Sequence, residues 1–212
     1  MTTVLLTGFA PFAGDATNPS GDAVRTVAER WTGAETLVTE VLPVTFAGAA
    51  ERLRVLIAEH SPDVVIATGL AGNRAQVTPE RVAINLADAR IPDNAGAQPL
   101  DEPSVPGSPA AYFATLPVKA IAAAIADAGI PASVSHSAGT FVCNHVMFTA
   151  LDAVASQHGV RAGFVHVPWA AETAPEGAPA LPLAEIVQSL EVAVRVAVDA
   201  RGDARIAGGT LD

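Results

Sequence analysis

Cys143 lies in the run SAGTFVCNHV, where an apolar, strand-like stretch gives way to residues with helical spacing at Val146, Met147, Ala150, Leu151 and Val154. It is the single cysteine of the chain, so its thiol has no partner for an intramolecular disulfide. It is therefore a buried thiol, a link between subunits or a nucleophile. His166, in GFVHVPW, is the one polar side chain of an otherwise apolar strand. Glu80 precedes RVAINL directly after Pro79, at the mouth of a further strand. A thiol, an imidazole and a carboxylate, far apart in sequence but each on or beside a strand, are the parts required for cysteine-peptidase chemistry. A thiol at a helix start gains from unpaired backbone N–H groups and the helix dipole, which favour the thiolate and can also receive an oxyanion. The plainer readings are a small buried hydrophobe for Cys143, a hydrogen-bonded core histidine for His166, and a surface carboxylate or partner of Arg81 for Glu80.

Other histidines compete for the role of base. His145 is two residues from Cys143, and on a helix residues two apart do not share a face. His136 sits on an uncharged stretch and stays a candidate, whereas His60 and His158 lie in polar helix ends and read as surface residues. Arg90 and Asp93, in DARIPDN, open a long segment as turn residues or as part of a site. Phe9 and Phe12, in GFAPFAGDATNPS, are unusual for a tight turn and suit an apolar pocket. That loop lacks the Lys-Ser/Thr ending of a phosphate loop. No His/Cys/Asp cluster has metal-ligand spacing, so no metal is expected.

These residues need a rigid scaffold. Short β-rich runs alternate with alanine-rich helical stretches. Strands are expected at VLLTGF, TLVTEVLPVTF, DVVIATG, RVAINLA, ASVSHS and GFVHVPW, with helices near 21–31, 47–60, 110–128, 143–155 and 183–200. DVVIATG is continuously apolar and ends in glycine, as a parallel strand covered on both faces does. Residues 88–109 lose hydrophobic periodicity and form one long loop, too long to be idle in a compact domain. The pattern predicts an α/β fold: a three-layer α/β/α sandwich on a mostly parallel twisted sheet, with the site at the carboxyl ends of the strands. One domain over 1–212 is expected, with 201–212 a loose tail.

Of 212 residues, 50% are hydrophobic and 16% charged, which fits a buried core and excludes disorder as the dominant state. Net charge is −10, so neither nucleic acid nor an anionic membrane is an expected partner. MTTVLLTGFAPFAG has no basic residue before its apolar run and reads as a first strand, not a signal peptide. The uncharged stretch 128–151 carries too many polar residues for a lipid-facing span. A soluble cytoplasmic domain is expected.

TGFAPFAGDATNPS, ERVAINLADARIPDNAGAQP, AAYFATLP, SAGTFVCNHV and GFVHVPW, in this order from Thr7 to Trp169, resemble the pyrrolidone-carboxylate peptidase (pyroglutamyl peptidase I) family. The resemblance implies a cysteine peptidase that removes an N-terminal pyroglutamyl residue from peptides, without a cofactor. It implies a triad of Glu80, Cys143 and His166, and an oxyanion hole formed by the backbone N–H groups of Arg90 and Cys143. Phe9 and Phe12 would line the lactam pocket, with Asn18 a polar group nearby. The resemblance also implies a cytoplasmic homotetramer. The chain departs from the family pattern at Ala10 and Ala13, where glutamate and glycine are usual, and at Leu70, where glutamine is usual. The competing reading is a catalytically idle relative that binds blocked peptide ends. A phosphorylase-like function rests on fold analogy alone.

Overall fold

The computed structural model describes residues 1–209. In chain order its elements are β1 (Thr3–Phe9), α1 (Pro19–Arg30), β2 (Thr36–Leu42), α2 (Phe46–His60), β3 (Val64–Leu70), β4 (Thr78–Pro79), β5 (Val82–Ile84), β6 (Ala111–Phe113), α3 (Val118–Asp127), α4 (Val142–Val154), β7 (Arg161–Val167), β8 (Trp169–Ala170), β9 (Ala180–Leu181) and α5 (Leu183–Asp199). The central sheet has strand order β2-β1-β3-β7-β4. β1, β2, β3 and β7 pair in parallel, while β4 runs antiparallel at the edge beside β7.

Strand periodicity sorts the core into two layers. Leu5, Val65, Ala67, Ala162 and Phe164 point to one face, against Leu53, Leu56, Val146, Met147 and Phe148 of α2 and α4. Val4, Leu6, Val64, Ile66, Val165 and Val167 point to the other face, against Val24, Ile121, Ile125, Leu190 and Val194 of α1, α3 and α5. Sheet strands covered on both faces must be apolar at successive positions, as VVIATG and FVHV nearly are. This is the expected α/β/α sandwich.

Three expectations are corrected. The helix expected over 110–128 begins only at Val118, and Ala111–Phe113 instead pairs antiparallel with Val82–Ile84. Alanines on either side of Tyr112 and Phe113 imitate helix composition, but Pro117 at the N-cap denies the helix any earlier start. RVAINLA does form a strand at Val82–Ile84, but in a separate two-stranded sheet with β6 and not in the central sheet. ASVSHS forms isolated bridges, Val77 with Ala132 and Glu80 with Ser135, and no continuous strand. Its ladder runs through Val77 N–H to Pro131 O, Ser133 N–H to Val77 O, Ser135 N–H to Pro79 O and Arg81 N–H to Ser135 O. The missing rung falls at Pro79, which has no N–H to give.

In the segment expected to be a loose tail, Asp203 and Ile206 make hydrogen bonds to the start of α3. The Asp203 carboxylate accepts from the Lys119 and Ala120 N–H groups, each at 2.9 Å. It thus caps α3, whose N-cap Pro117 offers no side chain for the purpose. Positions 210–212 of that segment lie outside the described residues.

Candidate active site

The carboxyl ends of β1, β3 and β7 open toward the start of α4, and the side chains of interest gather there. α4 begins at Val142 with Phe141 as an extended N-cap that makes no side-chain capping bond. The first intrahelical bond reaches Phe141 O from His145 N–H at 3.1 Å. The N–H groups of the first turn, that of Cys143 among them, are consequently left for another acceptor. Cys143 is partly exposed at this helix start.

The floor beneath the sulfur is Gly69. A Cβ at position 69 would stand 2.9 Å from Cys143 Sγ and 2.8 Å from Phe164 Cζ, closer than real Cβ contacts come. Gly69 is the register partner of His166 in the β3–β7 pairing. Paired residues of parallel strands point to the same face, so the imidazole and the thiol occupy adjacent positions on the α4 side of the sheet. Phe164 packs against the His166 ring, centroid to centroid 4.7 Å.

Behind His166 stands Glu80, which is wholly buried. Its Oε1 lies 2.7 Å from His166 Nδ1. The same oxygen accepts from Arg74 Nη1 at 2.6 Å, while Oε2 makes no hydrogen bond among the described residues. Burial pushes the Glu80 carboxyl up, but the hydrogen bonds and charge of His166, with help from Ser135 and Arg74, bring it below the usual carboxylate range. Burial lowers His166, and Glu80 only partly restores it against the repulsion of Arg74. The ring is therefore neutral near pH 7, with Nδ1–H donated to Glu80 and the lone pair on Nε2. Burial, with Glu80 adding to it, pushes the Cys143 thiol up to about 12, so the resting pair is thiol and imidazole.

Beside Cys143 lies a cavity of about 160 Å³ lined by Phe9, Phe12, Asp15, Thr17, Asn18, Val44, Leu70, Phe141 and Val142. Both expected phenylalanines line it, and Phe12 packs on Phe141 at 5.3 Å. Asn18 also lines it, but its polar atoms serve the loop. Oδ1 accepts from Ser20 N–H and Oγ–H, and Nδ2 donates to Ala10 O at 3.0 Å. Ala13 sits in the same loop at φ 55°, a left-handed conformation that alanine adopts at a cost.

Arg90 is exposed and does not line the cavity. Its segment is tied to the approach of Cys143, because Asp88 N–H donates to Thr140 O at 3.0 Å and Thr140 Oγ to Asp88 O at 2.7 Å. Asp93 holds the far end of the turn. Its buried carboxylate accepts from Phe46 N–H at the start of α2 and from Ala95 and Ala97 N–H. His145 points elsewhere: it is buried edge-on against Phe46 at 5.4 Å. Burial, and the charge of Arg54, push it down to about 4. His136, His60 and His158 are exposed.

Arg74, Gly69, Asn144 and Phe141 are residues of the site that sequence reasoning missed. Asn144 is fully buried and clamps Ile84 and Leu86 through bonds of 2.9–3.0 Å to their backbone, which docks the β5 hairpin on α4. Its signal was a polar residue inside an apolar helix, directly after the cysteine. Arg74 offered only a cation in a loop after a strand.

A family model described as pyroglutamyl peptidase matches residues 2–200. The chain is similar to the pyrrolidone-carboxylate peptidase of Clavibacter michiganensis subsp. michiganensis, 48% identical with 100% of both chains covered. It is 51% identical to that of Streptomyces coelicolor, over 93% of this chain and 92% of the relative. The crystal structure of pyroglutamyl peptidase I from Bacillus amyloliquefaciens superposes with a TM-score of 0.93 at 44% identity, covering 97% of this chain and 99% of that one. The pyrrolidone carboxyl peptidase of Thermococcus litoralis gives a TM-score of 0.92 at 39% identity, with 98% and 100% covered.

Proposed function

This chain belongs to the pyroglutamyl peptidase family, and from that premise we propose that it hydrolyses the N-terminal pyroglutamyl residue from peptides with Cys143 as nucleophile, His166 as base and Glu80 as orienting carboxylate. The observation that carries the reading is the 2.7 Å bond between buried Glu80 and His166, on the strand next to the glycine beneath the Cys143 sulfur.

With Glu80 holding Nδ1–H, Nε2 accepts the thiol proton as sulfur attacks the lactam-bearing acyl carbonyl. Proton and charge move together, so the high resting thiol pKa is no obstacle: the thiolate never stands alone. The carbonyl oxygen becomes an oxyanion, received by N–H groups of the α4 start and by that of Arg90. The imidazolium then protonates the departing amine and the C–N bond breaks, leaving a thioester. His166, neutral again, activates water; hydrolysis releases pyroglutamate and restores the thiol.

Selectivity follows from desolvation. A pyroglutamyl ring carries no α-ammonium charge and fits among Phe9, Phe12, Leu70 and Phe141. A charged amino terminus would lose its hydration there, and Asp15 is too exposed to compensate. The homotetramer and cytoplasmic location implied by the resemblance belong to the same proposal, and light scattering on purified protein tests the first.

The test is release of a fluorogenic amine from its pyroglutamyl amide under reducing conditions, with prolyl and alanyl amides and Cys143→Ala as controls. Release from the pyroglutamyl amide alone, lost in the variant, is expected. No release from folded wild-type protein would overturn the reading in favour of an idle binder.

A further inference from the structure

Arg74 lies on the β3–β4 loop, beside Glu80. Its guanidinium makes three bonds to two separate pieces of chain, the stretch 78–80 and Ser137. Nη1 reaches Glu80 Oε1 and Thr78 Oγ1, both at 2.6 Å, and Nη2 reaches Ser137 O at 3.0 Å. Thr78 is the register partner of His166 on the edge strand β4. Ser137 lies on the segment that runs through Thr140 into α4 and Cys143. One side chain therefore binds the carboxylate, the strand beside the imidazole and the approach to the nucleophile.

Its action on Glu80 is specific. Arg74 Nη1 and His166 Nδ1 converge on the same oxygen, and the second oxygen is buried with no hydrogen bond among the described residues. A carboxylate held only by the ring could turn about its last torsion and offer either oxygen. With Arg74 in place, one oxygen is fixed by two donors, and so is the direction along which the ring must lie. We propose that Arg74 is a positioning residue for catalysis, fixing Glu80 and through it the ring of His166 while tying both to the segment that delivers Cys143. This rests on the assignment of Glu80, His166 and Cys143 made above.

Charge adds a second handle. Among the described residues, the charged groups that act on the His166 ring are Glu80 ahead of β5 and Arg74 on the β3–β4 loop; Gly69 of β3, which lies beneath the Cys143 thiol of α4, is its register partner, and Phe164 of β7 packs on it. Arg74 is the cation among them that opposes protonation of the ring. Its removal makes the imidazolium easier to form.

The experiment compares wild type, Arg74→Gln and Arg74→Lys. It measures kcat and KM for the pyroglutamyl amide against pH, the rate of Cys143 alkylation by iodoacetamide against pH, and the melting temperature. Arg74→Gln is expected to lower kcat about 10- to 100-fold with KM within about twofold of wild type. The acid limb should move to higher pH, and Arg74→Lys should recover part of kcat and of the pH profile. Alkylation needs no substrate, so its altered pH dependence supports the inference even if the wild-type protein releases no amine, which would sink the functional reading instead. An Arg74→Gln variant that melts below wild type but keeps kcat and both pH profiles would overturn it, as would a loss carried in KM alone.

Discussion

Gly69 and Cys143 are in contact across the boundary between sheet and helix: a methyl group on Gly69 would lie 2.9 Å from the sulfur. The peptide of β3 is the surface on which the thiol rests, and nothing but hydrogen fits between them. Phe164, fully buried, closes the other direction at 2.8 Å. Gly69→Ala must push the sulfur or the ring aside. Overpacking of this kind costs roughly 1–3 kcal/mol, and a nucleophile displaced by about 1 Å loses on the order of 100-fold in rate. Steady-state kinetics on a folded variant should show kcat/KM down about 100-fold; activity within threefold of wild type would remove Gly69 from the site.

The two buried histidines are separated by mutation. His166→Ala should remove nearly all turnover, as Cys143→Ala does. His145→Ala should keep most of it, because that ring faces Phe46 and not the thiol. Glu80→Gln should fall between, about 100-fold down, since it removes charge while keeping an oxygen for Nδ1–H. Equal losses for His145→Ala and His166→Ala would reopen the choice of base.

Ala13 holds φ 55° in the loop of the apolar cavity, where the family resemblance places glycine. A left-handed alanine costs about 1–2 kcal/mol, partly offset by the extra freedom glycine has in the unfolded chain. Ala13→Gly should therefore raise stability by about 0.5–1 kcal/mol, read as a higher urea midpoint at unchanged slope. A lower midpoint would contradict the strain.

Stability should fall with acid in a defined window. His145 is held at about 4 in the folded chain, against the ordinary 6.5 when unfolded. Below pH 6.5 the unfolded chain takes up a proton that the folded one refuses, so stability is full above 6.5 and declines toward pH 4. The loss over that window amounts to about 3 kcal/mol. His166 adds in the same direction. Glu80, lowered in the folded chain, contributes only above its unfolded value and is lost at still lower pH. Urea titrations at pH 7, 5.5 and 4.5 check the slope, and His145→Leu should flatten it. Equal midpoints at all three would refute it.

Much of this site was legible in the sequence because its residues contradict their surroundings: a lone thiol, an imidazole in an apolar strand, a carboxylate after a strand-breaking proline. The parallel core was legible for the opposite reason, since VVIATG and GFVHV contain almost nothing that water would solvate. Arg74 was not legible. Its partners are four, six and 63 residues away, and only the fold brings Ser137 beside Glu80. Gly69 reads as the end of a strand, and its second meaning arises from a helix packed over it. The misread helix at 110–117 shows composition losing to proline geometry.

The resting state of Cys143 bears on how long such an enzyme lasts. Peroxide and disulfide exchange attack thiolates, and a sulfur held as a neutral thiol up to about 12 gives them little to react with. Only transfer of its proton to His166 makes the sulfur reactive. The one thiol this chain could lose to sulfenic acid is thereby slowed in its reaction with peroxide, and acylation during turnover shields it further.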